Sequence, residues 1–352
     1  MRTIGRSEML DVVEGATFLG AGGGGSPIQG RRLVEWVMEI ASEIQVVSPD
    51  EMPDDAHVAV VAGMGSPVAA RDLPFIHAPV RAFETLEGVV GHPIPYVLPL
   101  EVGGGNSISP MFVAARKGIP LVDGDGAGRA IPELEMTTYV ICGESLSPLT
   151  IANEASVSAV LYVEDPRECE DVARAITTQL GMLAGFATHP MTGRRMKEVL
   201  IPHTLTQAEE VGRALREAKA GGDDPVDAVI AHTKGRLLGK GRITEVVSET
   251  RGGFDYGRVV VEDGLRVDFK NESMLAWRDG SPVAMVPDLI CCLDMVGQPL
   301  TNADVKEGLE VAFVGLPADP KWRTPKATGV FSHVLEALDY TRGYAPIEKL
   351  TE

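Results

Sequence analysis

Three apolar runs of strand length, at 57–62, 97–100 and 119–122, alternate with helical patterns and each runs into a turn bearing glycine or Asp-Gly. Strands that are apolar at every position are buried on both faces, as in a parallel sheet covered by helices. The helical patterns between them cover 79–90 and 108–117. Such strand–helix–strand units cross over right-handedly, which brings the turns to one edge of the sheet. Ligands gather there in open α/β sheets. Residues 1–165 are therefore expected to form an α/β domain with a mainly parallel sheet and glycine-rich loops at the site.

The turns read Gly63-Met-Gly-Ser-Pro, Glu101-Val-Gly-Gly-Gly-Asn-Ser and Asp123-Gly-Asp-Gly-Ala-Gly-Arg-Ala-Ile-Pro-Glu. A fourth glycine run, at 20–25, joins a helical pattern at 7–19 to another at 31–40. It lacks the Gly-Lys-Ser/Thr of a Walker loop, and a helix precedes it where a Rossmann fingerprint needs a strand. Glycine lets a ligand approach the main chain, and consecutive free N–H groups can hold an anion. Gly23, Gly24, Gly25, Ser66 and Gly104, with the side chains of Asn106 and Arg129, are the candidate substrate-binding donors. Glu101, Asp123, Asp125 and Glu133 are the candidate acids and bases. Taken singly, Asp and Asn in turns are ordinary caps; their density beside flexible backbone is what suggests a site.

Past 165 the character changes. A helical segment spans 166–235, with helices expected at 168–186, 206–220 and 224–233, and a β-rich segment spans 239–320 with Asp263-Gly264 and Asp279-Gly280 as hairpin turns. The expected second domain, 166–352, is thus a helical segment plus a smaller all-β domain, with a tail, 321–352, compatible with packing back on the first. Trp322 in that tail suits an interdomain anchor or a substrate clamp equally. Residues 136–142 read as a strand from their β-branched content. Asn271, Glu272 and Asp288 are lesser candidates, since hairpin polar residues are commonly just exposed. His189 and His203 lack metal-ligand spacing.

The net charge of −18 argues against nucleic acid and anionic membranes as partners. The N-terminus has no signal-like apolar stretch and no run is long enough to span a bilayer, so a cytoplasmic protein is expected. Four cysteines without CxxC spacing read as free thiols. A homo-oligomer is compatible with this sequence.

Gly22-Gly-Gly-Gly-Ser-Pro, Gly63-Met-Gly-Ser-Pro, Glu101-Val-Gly-Gly-Gly-Asn, the 123–133 block, Phe269-Lys-Asn-Glu and Val286-Pro-Asp-Leu-Ile together resemble the S-methyl thiohydantoin desulfurase family, often labelled hydantoinase-like. The resemblance implies a hydrolase acting on a five-membered N-heterocycle, with water replacing a methylthio group to give a hydantoin and methanethiol. The small heterocycle would be the partner, and no cofactor is expected. The residues leave other readings open. Asp123 and Asp125 with Glu101 or Glu133 would suit Mg²⁺ or Mn²⁺. A cyclic-amide ring hydrolase and a non-catalytic metabolite-binding protein are the functional alternatives.

Overall fold

The computed structural model describes residues 1–65 and 75–350, and the candidate Ser66 lies outside them. The first sheet holds β1 (Arg2–Ile4), β2 (Ile44–Val47), β3 (His57–Gly65), β4 (Tyr96–Pro99), β5 (Leu121–Val122), β7 (Leu149–Ala152), β8 (Ser158–Leu161) and β9 (Leu183–Thr192). A short pair, β6 (Gly124–Asp125) and β10 (Ile201–Pro202), lies apart from it. The sheet order is β1-β2-β5-β4-β3-β9-β7-β8. Its centre, β2-β5-β4-β3, is parallel, and the flanking strands pair antiparallel. The sheet is therefore mixed, with the expected parallel pattern confined to the strands that helices connect.

Alternation along β3 sorts the core. Ala59 and Val61 face the helices Arg6–Leu19, Pro27–Ile40, His77–Val90 and Ser109–Lys117, in one cluster with Val13, Val34, Phe83 and Met111. Val58, Val60 and Ala62 face a second cluster with Tyr139, Met196, Trp322 and Phe331. Both faces are dry, which is why the strand reads as apolar throughout.

Two elements differ from the sequence reading. Helix Pro166–Gln179 stops early and the chain re-enters the first sheet as β9, pairing with β3 and β7. Residues 136–142 form a short helix, Thr138–Ile141, because the Thr137 hydroxyl caps it and Thr138 hangs from the Gly126 carbonyl. Local tertiary bonds outweigh β-propensity there.

The second sheet is antiparallel, in the order β15-β14-β13-β12-β11-β18-β16-β17. Its strands are β11 (Arg236–Arg251), β12 (Phe254–Val261), β13 (Arg266–Lys270), β14 (Glu272–Arg278), β15 (Ser281–Met285), β16 (Leu289–Asp294), β17 (Pro299–Leu300) and β18 (Glu310–Leu316). The long β11 pairs with β18 through its first half and with β12 through its second, so it turns the corner between two leaves. Leu289, Cys291 and Val314 pack into the same core as helix Arg6–Leu19. That helix in turn crosses helix Thr204–Gly221 backbone to backbone, at Gly15 over Ala208 and at Gly212 over Asp11. The all-β part is thereby seated on the α/β part, and no helix among the described residues is long and apolar enough to cross a membrane.

Candidate functional site

Loop 20–25 and turn 102–106 are interlocked. The Gly24 carbonyl accepts from the N–H groups of Gly105 at 3.1 Å and Asn106 at 3.0 Å. A Cβ on Gly24 or Gly103 would fall inside the other's backbone, and Gly24 also has φ +76°. Glycine is required here for backbone to lie on backbone. Gly104 belongs to this packing, against Thr17 and Pro27, and does not line the cleft.

Beside these loops opens a cleft of about 180 Å³, lined by Gly22–Gly25, Glu101, Asn106, Glu133, Glu272 and Asn302 and by apolar side chains from β3, β9 and residues 131–134. Glu101, from the end of β4, is buried. Asn106 donates to its Oε1 at 2.6 Å and the Ile131 N–H to its Oε2 at 2.7 Å. Asn106 is itself fixed by β3, since its Oδ1 accepts from the Gly63 N–H at 2.9 Å. Two of the glycine turns thus meet through one amide.

Glu272 arrives from the all-β domain. Asn271, at the tip of the β13–β14 hairpin, has φ +54°, and its Oδ1 accepts from the Asp255 N–H at 2.9 Å. Asn tolerates that left-handed conformation better than most residues. The tip thrusts Glu272 against Gly23, where any Cβ would overlap the carboxylate. Ser273 N–H donates to the Ala21 carbonyl, and Asn302 N–H to the Gly22 carbonyl, both at 2.8 Å. These bonds stitch the hairpin to loop 20–25.

Burial pushes both Glu101 and Glu272 above the usual carboxylate range. The Glu272 charge raises Glu101 further, while Arg129 draws Glu272 back down. Two buried carboxyls that line one cleft favour a single charge, since ionisation of one raises the other. Glu272 Oε2 has no hydrogen-bond partner among the described residues.

The other predicted groups lie elsewhere. Asp123 accepts from the Thr206 N–H at 3.1 Å and hydroxyl at 2.5 Å, at the start of helix Thr204–Gly221. Asp125 Oδ1 accepts from the N–H groups of Ala127 and Gly128, shaping its own turn. Burial raises Asp125 to about 6, against the pull of Thr204 and those N–H groups. Neither Asp lines the cleft. Arg129 is fully buried and spends its guanidinium on the carbonyls of Ala130, Ser273 and Asp288, each at 2.9 Å. It braces the two domains and offers nothing to a ligand directly. Asp288 holds the C-terminal segment through the N–H groups of Ala318 and Ile347, and Trp322 donates to the Ala127 carbonyl at 2.7 Å.

Glu133 sits at the cleft wall in an ion pair with the buried Lys270, and His333 Nε2 meets both its oxygens at 3.0–3.1 Å. Burial works against ionisation there, but His333 and Lys270 overcome it and hold Glu133 at about 2. Arg167 Nη2 lies 3.0 Å from His333 Nδ1. An arginine can only donate, so Nδ1 accepts and Nε2 carries the proton. Glu133, Glu135 and His333 offer ligand atoms within 4.8 Å of one another. Lys270 on Glu133 and Arg167 on Glu135 already supply the compensating cations. Sequence reading did not single out Lys270, Asn302 or His333 as site residues; the Phe269-Lys-Asn-Glu motif was the available signal for the first.

Models of the S-Me-THD-like N-terminal domain and C-terminal domain match residues 7–162 and 164–346. The chain belongs to the S-Me-THD-like family. Among solved structures, this S-Me-THD-like chain is similar to the crystal structure of a protein from Chromobacterium violaceum, with 29% identity and a TM-score of 0.88. That likeness covers 99% of this chain and 100% of the other. Among curated proteins, none matches.

Proposed function

We propose that the cleft hydrolyses a five-membered N-heterocycle, with water replacing a methylthio group on a ring carbon. The feature that supports this reading is the pair Glu101 and Glu272, both buried on one cleft and both held above the usual carboxylate range, which favours one protonated carboxyl beside one ionised one. The ionised partner takes a proton from water as its oxygen bonds to the ring carbon. The protonated partner supplies one proton as the C–S bond breaks. The water's two protons end on methanethiol and on ring nitrogen, and its oxygen becomes the new carbonyl. Asn106 orients Glu101 for this role, and Arg129 supports Glu272 from behind the hairpin. The carboxylates Asp123 and Asp125 keep the glycine turn and the helix beneath it in place.

The test is an assay of the purified protein on S-methyl thiohydantoins and on plain hydantoins, with and without EDTA, alongside Glu101→Gln and Glu272→Gln. Thiol release that survives EDTA and collapses in both variants is the expected result. Ring opening to a carbamoyl amino acid without thiol would replace the reading with a cyclic-amide hydrolase. Activity lost to EDTA and restored by a divalent ion would replace the carboxyl pair with a metal. Tight binding without turnover would leave a metabolite-binding protein.

A further inference from the structure

We infer that this chain forms a symmetric dimer in which β8 pairs antiparallel with β8 of a second copy, joining the two first sheets edge to edge. None of residues 155–163 lines the cleft, so this surface is independent of the hydrolytic reading.

β8 is an outer strand of the first sheet, paired with β7 alone among the described residues. At the ends of that ladder the Val157 carbonyl accepts from the Asn153 N–H at 3.1 Å, and Ser147 Oγ holds both the N–H and the carbonyl of Val163 at 2.7 Å. Antiparallel bonding alternates residue by residue. Val157, Ala159, Leu161 and Val163 therefore turn their backbone groups toward β7, and Ser158, Val160 and Tyr162 turn theirs outward. A row of outward N–H and carbonyl groups is a template for another strand. Sheets guard such edges with charge or proline. The other outer strands of the two large sheets do so: β1 carries Arg2, β15 carries Pro282 and β17 carries Pro299. Residues 155–163, around β8, hold no charge and no proline, and Val157, Val160 and Tyr162 among them are 49%, 37% and 72% exposed.

A second copy is the occupant because this edge is complementary to itself. With Val160 on the two-fold axis it faces Val160 of the other copy, and Tyr162 faces Ser158. Every outward backbone group of the strand is then paired, and the aromatic ring lies over a small residue. The flanking Glu164 falls opposite Ser156, and Glu154 opposite Pro166. No like charges meet in this register, although each copy carries −18 overall. Sliding Ser158 opposite Val160 would instead set Glu154 against Glu164, which disfavours that register.

Sedimentation velocity of the purified protein from about 1 to about 200 µM tests this, since one strand pair buries less than a standard interface and points to micromolar affinity. A concentration-dependent dimer is expected. Val160→Lys sets two cations face to face on the axis, and Tyr162→Glu removes the ring; each should weaken association at least about tenfold. Both positions are exposed, so both variants should melt like the wild type. Cys142 is an exposed free thiol, so Val160→Cys is made together with Cys142→Ser. That protein should form a disulfide between copies on oxidation, which reports the axis. A monomer across the whole range overturns the inference and leaves the edge to another extended segment. A dimer that both folded variants leave intact, or one that Val160→Cys does not cross-link, overturns it as well.

Discussion

Asn302 holds Glu272 by its two neighbours. Its Nδ2 donates to the Asn271 carbonyl at 2.8 Å, and its Oδ1 accepts from the Ser273 hydroxyl at 3.3 Å. Its backbone N–H at the same time binds Gly22, next to the glycine on which Glu272 rests. Removing this side chain frees the hairpin tip without touching a reacting atom. Asn302→Ala is expected to lower kcat about 10-fold to 100-fold, since misplacement by about an ångström is enough, with a smaller change in KM. Steady-state kinetics on the thiohydantoin check this, and an unchanged kcat would remove Asn302 from the positioning role.

Glu272→Gln should abolish turnover yet stabilise the fold as pH rises. The folded-state pKa of Glu272 lies above its ordinary value. Its contribution to stability is therefore fully present below the ordinary carboxylate range and is lost as pH climbs through the folded value. Gln carries no such dependence. Thermal melts of the two proteins between about pH 5 and pH 9 should diverge in favour of the variant by about 1 kcal/mol or more at the alkaline end. Parallel curves would show that Glu272 titrates as in water.

Lys270→Ala leaves Glu133 buried with His333 as its remaining partner. Breaking one side of a buried ion pair typically costs about 3–5 kcal/mol, and denaturant unfolding should register a loss of that order. The wild-type pair has its own acid limb. Glu133 is depressed to about 2, so its stabilisation is present above the ordinary carboxylate pKa and fades as pH falls toward that value. Lys270→Ala should flatten this limb.

Gly103→Ala would drive a methyl into Gly24 backbone that cannot move aside. Overpacking of this kind costs about 1–3 kcal/mol or more. Gly88→Ala provides the control, because a Cβ there meets nothing within 4 Å. A lower melting midpoint in the first, and an unchanged or slightly raised one in the second, where alanine is the better helix former, is the expected outcome.

Much of the α/β frame is legible because its signals are local. The apolar runs of β3 and β4 and the helices His77–Val90 and Ser109–Lys117 that follow them are visible as periodicity, although neither helix has a side-chain N-cap. Glu101 and Asn106 could be singled out for the same reason: an acid and an amide within one glycine turn, five residues apart. The Asp-Gly-Asp-Gly block misleads for an instructive reason. Its charge density is as high as that of the 101–106 turn, but charge density does not say which way a carboxylate points. Asp123 turns to Thr206 and Asp125 to its own backbone.

The apolar strands, the glycine turns between them and the β-rich character after residue 239 are written locally in the chain, because each depends on neighbours within a few residues. That Glu272 and Glu101, 171 positions apart, line one cleft, that β9 joins the first sheet and that Arg129 is a brace came from the long-range packing of the fold. Those outcomes depend on packing the all-β leaf against helix Arg6–Leu19 and on hydrogen bonds closed across long loops. No periodicity in the chain encodes such contacts, since they arise from the burial of surfaces that only the folded domains possess.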